Sequence, residues 1–116
     1  MSYDICLRCQ DGELAQVPRQ SEGGTYCVGG TTDAHLNATY NYCRLFRLAL
    51  GDPDGVRWLY GKSGHNTIAR LEKAVDALGT QRDDDYWKPT DGNVGHALSV
   101  LLAWARLHPG AVWEGD

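Results

Sequence analysis

The residues best suited to bind an anion lie in a glycine-rich stretch early in the chain. Four strand-forming residues, 25–28, precede a glycine doublet and then two threonines. A strand that passes through glycines into a helix start presents backbone N–H groups and the positive end of the helix dipole together. This order predicts an anion site formed by Gly30, Thr31 and Thr32, with Tyr26 available as a stacking ring.

Two asparagines follow in what the pattern predicts to be the first helix. Asn37 and Asn41 are spaced so that both amides would face the same side of a helix. Each amide has donors and an acceptor, which suits the polar edge of a base or a ribose. The alternative is a structural network in which the amides satisfy backbone groups of the chain itself.

The segment 55–63 imitates part of a phosphate-binding loop of nucleotide triphosphatases. Five residues separate its glycines, where that loop has four, and bulky side chains among them argue against a true phosphate loop. Lys62 and Ser63 nevertheless precede a predicted helix, and Arg57 is close in sequence. A cation at a helix start favours an anion, so all three residues join the predicted site.

A polar loop before the third predicted helix carries three adjacent aspartates, 83–85, followed by Tyr86 and Trp87. A run of acids is typical of a solvated surface. Two aromatic rings in a polar loop either bury in the core or stack on a ligand, and both outcomes stay open for Trp87. Thr90 and Asn93, at the start of the next helix, complete the predicted ligand-binding residues.

Cysteines and histidines form no recognisable catalytic or metal site. Cys6 and Cys9 would point to opposite faces of a strand, and the second half of a zinc-type spacing is missing. A general base at His96 beside Asp91 is conceivable, but a surface or capping histidine is the favoured interpretation. No catalytic residue, no metal ligand and no cofactor is therefore predicted.

The elements that must position these residues indicate an α+β fold in one compact domain, residues 1–116. Alternating polar and apolar residues over 3–9 predict a strand. A turn at Asp11-Gly12 predicts an N-terminal hairpin with a return strand over 13–17. Residues 25–28 are a possible third strand.

Three helices are predicted from apolar residues at helical spacing. They run over about 33–50, 66–78 and 91–108, with Thr31 or Thr32 capping the first. Residues 56–60 are either a strand or an irregular packed segment. Trp113 is expected to anchor the tail on the domain.

Composition limits the function classes. The net charge of −4 and the pI of about 5.4 argue against direct binding of nucleic acid through its phosphates. No apolar run reaches the roughly 18 residues that span a bilayer, and the N-terminus lacks signal-peptide features. We expect a cytoplasmic protein with reduced cysteines, no membrane partner and a possible homo-oligomeric state.

Four sequence blocks resemble a family of small uncharacterised proteins encoded by phages and prophages. The longest, residues 23–42, reads Gly-Gly-Thr-Tyr-x-x-Gly-Gly-Thr-Thr-x-Ala-x-Leu-Asn-x-Thr-Tyr-Asn-Tyr. The others are Tyr-Gly-Lys-Ser-Gly at 60–64, Asp-Asp-Tyr-Trp-x-x-Thr-x-Gly-Asn at 84–93 and Val-Trp-Glu-Gly-Asp at 112–116. The resemblance implies a small phage accessory protein of the kind that antagonises host defence.

Three functions are compatible with these residues. The first is a non-catalytic pocket that sequesters a small phosphorylated, nucleotide-derived ligand. The alternative is a protein–protein inhibitor of a host-defence complex, in which aspartates 83–85 mimic nucleic-acid charge. The second alternative is a small enzyme that acts on a nucleotide or sugar phosphate.

Overall fold

The first strand shows how the sequence divides the sheet into two faces. In β1 (Ser2–Arg8), Tyr3, Ile5 and Leu7 are buried, while the residues between them are half-buried. This alternation has the period of two that places successive side chains on opposite faces. The buried face therefore belongs to the core, and the other face carries polar side chains.

The computed structural model describes residues 1–18, 25–27 and 32–116. Within them the protein has an α+β fold in which a four-stranded antiparallel sheet has the order β2-β3-β1-β4. β2 is Thr25–Cys27, β3 is His35–Thr39 and β4 is Val112–Gly115. Three helices accompany the sheet: α1 (Cys43–Leu50), α2 (Gly64–Leu78) and α3 (Asp91–Leu107).

The predicted first helix over 33–50 is wrong in its first half. His35–Thr39 is the strand β3, which pairs with β1 from Ser2↔Thr39 to Cys6↔His35. Leu36 and Ala38 are buried whereas His35 and Asn37 are half-buried, so a strand period was present beneath the helical spacing. Pairing on both sides, with β1 and β2, decides between the two periods.

The chain becomes helical only after β3. Thr39 caps a 3₁₀ helix, Tyr40–Tyr42, by accepting a hydrogen bond from the N–H of Asn41, and α1 follows directly. Asn37 and Asn41 therefore do not share a helix face. Thr32 is not a helix cap, because a strand and not a helix follows it; Thr31 lies outside the described residues.

The N-terminal hairpin is formed by a short return segment. Gly12 has a φ of 87° at the turn, a left-handed conformation that glycine adopts without a Cβ penalty. The N–H of Ala15 donates to the carbonyl of Leu7, and the N–H of Val17 donates to the carbonyl of Thr32. The return segment thus runs between the end of β1 and the residues before β3, and it buries the side chains of Ala15 and Val17.

The remaining elements lie close to their predicted positions. α2 begins two residues before the predicted start, and α3 ends one residue before its predicted end. Residues Gly55–Leu59 form a 3₁₀ helix. Trp113 is 1 % exposed and anchors the tail, as expected, but it does so as part of the unpredicted strand β4.

The core lies between the buried face of the sheet and the helices, with α2 and α3 packed against each other. Its largest fully buried side chains are Trp104, Trp113, Tyr42, Phe46, Ile5, Leu7, Leu36, Leu50, Leu59, Leu71, Leu98 and Leu101. Among the described residues, none of the helices has the length and apolar character required to cross a bilayer.

Candidate functional site

Among the residues whose burial is described, the loop between α2 and α3 forms the longest exposed run. We call residues 80–89 the acidic–aromatic loop; every one of them is exposed. Tyr86 is 38 % exposed and Trp87 is 53 % exposed. Their ring centroids are 5.0 Å apart with an interplanar angle of 41°. The two rings therefore form one aromatic surface outside the core.

A buried amide holds this exposed loop in one conformation. Asn93, in the first turn of α3, is 3 % exposed. Its Oδ1 accepts a hydrogen bond from the N–H of Asp83 (2.9 Å), and its Nδ2 donates to the carbonyls of Asp85 (3.1 Å) and Lys88 (2.9 Å). Because burial makes unpaired polar groups costly, these three bonds tie the loop to the helix. The amide of Asn93 thus has a structural role, the alternative described above for Asn37 and Asn41, and it does not face outward.

Two aspartates stabilise the loop from within. Oδ1 of Asp83 accepts from the N–H of Asp85 (2.8 Å), and Oδ1 of Asp85 accepts from the N–H of Trp87 (3.0 Å). Such side-chain bonds to the backbone two residues on are typical turn interactions of aspartate. In the described part of the chain, the carboxylate of Asp84 makes no hydrogen bond, so its charge is fully available at the surface.

The 3₁₀ helix after β3 holds the tip of the loop from the other side. Nδ2 of Asn41 donates to the carbonyl of Trp87 (2.9 Å), and the buried Tyr42 donates its hydroxyl hydrogen to the carbonyl of Tyr86. Both bonds hold main-chain atoms and leave the rings of residues 86 and 87 outside. The backbone is therefore ordered while the aromatic surface remains accessible.

The loop also packs closely on α3. A Cβ atom at Gly92 would overlap the carbonyl oxygen of Gln81, and one at Gly95 would overlap that of Gly79. Both glycines are required for the close approach of backbone to helix. Two glycines three positions apart inside a predicted helix were a usable signal of this contact, which sequence reasoning missed along with the role of Tyr42.

The predicted cations are engaged in contacts within the chain. Nε of Arg57 donates to the main-chain oxygen of Asp116 (2.8 Å), and Nη2 of Arg57 donates to the hydroxyl of Tyr40 (3.3 Å). Its guanidinium also lies 5.0 Å from the centroid of the Tyr3 ring. Nζ of Lys62 donates to the carbonyl of Trp58 (2.6 Å) and lies 4.5 Å from the centroid of its ring.

The start of α2 is likewise occupied by groups of the chain, and the start of α3 is capped. At α2, the N–H groups of Gly64 and His65 donate to the carbonyls of Ala111 (2.8 Å) and Pro109 (2.9 Å). Oγ of Ser63 accepts from the third N–H of that turn (3.3 Å). At α3, Thr90 caps the helix by accepting from the N–H of residue 93 (3.1 Å). Ser63 and Thr90 thus act as caps.

The remaining predicted residues lie on or near the sheet. On its open face, Nδ2 of Asn37 donates to Oγ of Ser2 (2.8 Å) and Oδ1 of Asp4 (3.0 Å). Oγ1 of Thr32 donates to Oε1 of Gln16 (2.8 Å). The backbone of Tyr26, in β2, pairs with that of residue 37, in β3. Gly30 and Thr31 lie outside the described residues.

The structure therefore gathers only some of the predicted site residues. Asn41, Trp87, Thr90 and Asn93 meet around the acidic–aromatic loop. Arg57 is linked to this group less directly: it donates to the hydroxyl of Tyr40, the residue before Asn41 in the chain. Lys62 and Ser63, at the start of α2, and Asn37 and Thr32, near the sheet, make none of these contacts with the loop in the described part of the chain.

Burial shifts the pKa of one thiol and one imidazole among the described residues. Burial raises the pKa of the Cys6 thiol to about 11, and the carboxylate of Glu114 adds to the rise, so this thiol stays protonated and unreactive near neutral pH. Burial, and then the charge of Arg82, lower the pKa of His96. Within the described residues, no group of three or more His, Cys, Asp or Glu side chains is placed to hold a metal ion.

Comparisons of this chain with protein-family models, with curated proteins and with solved structures find no match.

Proposed function

We propose that this chain is a binding protein that inhibits a host-defence complex by presenting the acidic–aromatic loop to a basic surface of that complex. The observation that carries this proposal is the combination of exposure and order in residues 80–89. Their side chains are exposed, while Asn93, Asn41 and Tyr42 hold their backbone.

An ordered aromatic surface is well suited to protein recognition. Tyr and Trp are enriched among the residues that dominate binding energy at interfaces. A loop that is already held in one conformation loses less entropy when it binds. The pair Tyr86 and Trp87 meets both conditions, which supports the loop as the binding element.

The charge around the aromatic pair favours a basic partner. Asp83, Asp84 and Asp85 precede the rings directly, and complementary charges steer association and suppress wrong partners. A surface that normally binds nucleic acid is rich in Lys and Arg. The resemblance to phage and prophage proteins adds a reason to expect that surface in a host-defence complex.

Quantitative capture with purified nucleic-acid-binding defence complexes tests the proposal. Trp87→Ala should weaken capture by about 30-fold, the effect of losing one dominant interface residue. Leu107→Ala is the matched control, because Leu107 is 54 % exposed but lies at the far end of α3. A nucleic-acid ligand of the captured complex should compete with the wild-type chain. Equal capture of both variants, or no competition, refutes the proposal.

A second candidate function is sequestration of a small phosphorylated, nucleotide-derived ligand. It is favoured by one observation, which brings three separate segments together. Arg57 donates to the hydroxyl of Tyr40, and the next residue, Asn41, donates to the main-chain carbonyl of Trp87. Calorimetry with a panel of nucleotides tests it. Binding that is unchanged in Arg57→Ala excludes this site, and the absence of heat with every nucleotide excludes the candidate.

A further inference from the structure

A cleft of about 340 Å³ lies between the end of α1 and the middle of α2. We call it the basic cleft, and it is lined by Leu48, Ala49, Leu50, Gly51, Arg70 and Lys73. None of these residues belongs to the acidic–aromatic loop. The cleft is thus a second surface with a different chemical character.

Contacts within the chain hold the guanidinium of Arg70 in place but give it no hydrogen bond in the described part of the chain. Its guanidinium carbon lies 4.0 Å from the centroid of the Trp58 ring, so stacking fixes the plane of the group. The nearest carboxylate, Oδ2 of Asp52, is 4.0 Å from Nη1, which is beyond hydrogen-bond distance. Within the described residues its N–H groups have no acceptor. Their forked edge is therefore available for a carboxylate from outside the chain.

The other side chains of the cleft add one charge and one apolar contact. Lys73 lies one turn further along α2, is exposed, and has no acceptor in the described part of the chain. Leu48 is 63 % exposed, more than any other large apolar side chain described except that of Met1. Positive charge beside an exposed leucine is unexpected on an acidic chain of net charge −4.

We propose that the basic cleft binds an acidic peptide segment of a partner protein. One carboxylate of that segment pairs with the fork of Arg70, a second approaches Lys73, and an apolar side chain between them packs on Leu48. Charge complementarity selects an acidic occupant, and the exposed leucine selects a peptide with an apolar side chain over a bare anion. This surface is separate from the proposed function and does not depend on it.

The experiment uses ¹⁵N-labelled full-length chain and a short synthetic peptide that alternates glutamate and leucine. Titration should shift amide signals of residues 48–51, 70 and 73. Arg70→Lys keeps the charge but removes the fork, and should weaken binding by about tenfold, the effect of losing a charge-assisted hydrogen bond. Leu48→Ala should weaken binding to a similar degree. Arg8→Gln is the matched control and should leave binding unchanged, since Arg8, in β1, lies outside both the cleft and the acidic–aromatic loop.

Each of the following outcomes would overturn the proposal. If the peptide causes no shifts at these residues, the cleft is not a peptide site. Equal weakening by Arg8→Gln would show non-specific charge attraction. Displacement of the peptide by inorganic phosphate at the same concentration would identify an anion site. If light scattering shows a dimer that the peptide dissociates, the occupant is a second copy of this chain.

Discussion

The acidic–aromatic loop and the open face of the sheet are both polar surfaces held by the hydrogen bonds of an asparagine, but the two amides have different roles. Asn93 is 3 % exposed and bonds to main-chain groups of a segment without secondary structure. Asn37 is half-buried and bonds to side chains of β1, whose backbone is already paired in the sheet. The conformation of the loop therefore depends on side-chain hydrogen bonds, three of them made by Asn93, whereas that of the sheet rests on backbone pairing.

The largest effect is expected for Asn93→Ala. The substitution removes three hydrogen bonds of a buried amide, which should cost about 3 kcal/mol in the free energy of unfolding. The N–H of Asp83 loses its partner, whereas the carbonyls of Asp85 and Lys88 keep backbone donors. Urea denaturation measures the cost, and hydrogen exchange of amides 83–88 should increase. A loss no larger than that of Asn37→Ala would remove the distinction between the two amides.

Gly92→Ala tests the contact between loop and helix without removing a hydrogen-bonding group. Alanine is the better helix former, so at an exposed helix position this substitution would stabilise the protein. Here the new methyl group would overlap the carbonyl of Gln81, and we expect a net destabilisation of about 2 kcal/mol. Thermal unfolding gives the sign directly. Stabilisation would mean that the loop moves away from α3 at little cost.

A smaller effect is expected for Asn37→Ala. The lost bonds join side chains of Ser2 and Asp4 that water can reach, so the unfolding free energy should fall by about 0.5 kcal/mol. Hydrogen exchange of the β1 and β3 amides should not change, because the strand pairing is independent of this side chain. Faster exchange in β3 would show that the amide organises the strand after all.

The smallest effect is a pH dependence at His96, beside the loop. Burial, and then the charge of Arg82, lower its pKa in the folded protein. The folded state therefore disfavours the protonated ring. Its contribution to stability is complete above the unfolded pKa of about 6.5 and is lost as the pH falls toward the folded pKa. His96→Gln should flatten the unfolding free energy between about pH 5 and 7; an unchanged slope would contradict the prediction.

Local patterns were sufficient for the elements whose signals did not compete. The threonine cap and apolar spacing of α3 predicted that helix within one residue at its end. Residues 33–39 carried two periods at once, and the choice between strand and helix depended on pairing with β1 and β2, which are distant in sequence. The strand β4 was missed for the same reason, since its partner is the first strand of the chain.

The same division holds for the candidate site. The sequence by itself determined an α+β chain with an acidic loop, two aromatic residues at its tip and a capped helix after it, because composition, turn residues and caps act over short distances. Only the tertiary structure decided that Trp87 is displayed and not buried, that Asn93 and Asn41 face the loop backbone, and that Arg57 and Lys62 are engaged within the chain. Those outcomes depend on which segments meet. Apart from the local bond of Lys62 to Trp58, the partners lie 8 to 59 positions apart, so packing of the whole core brings them together.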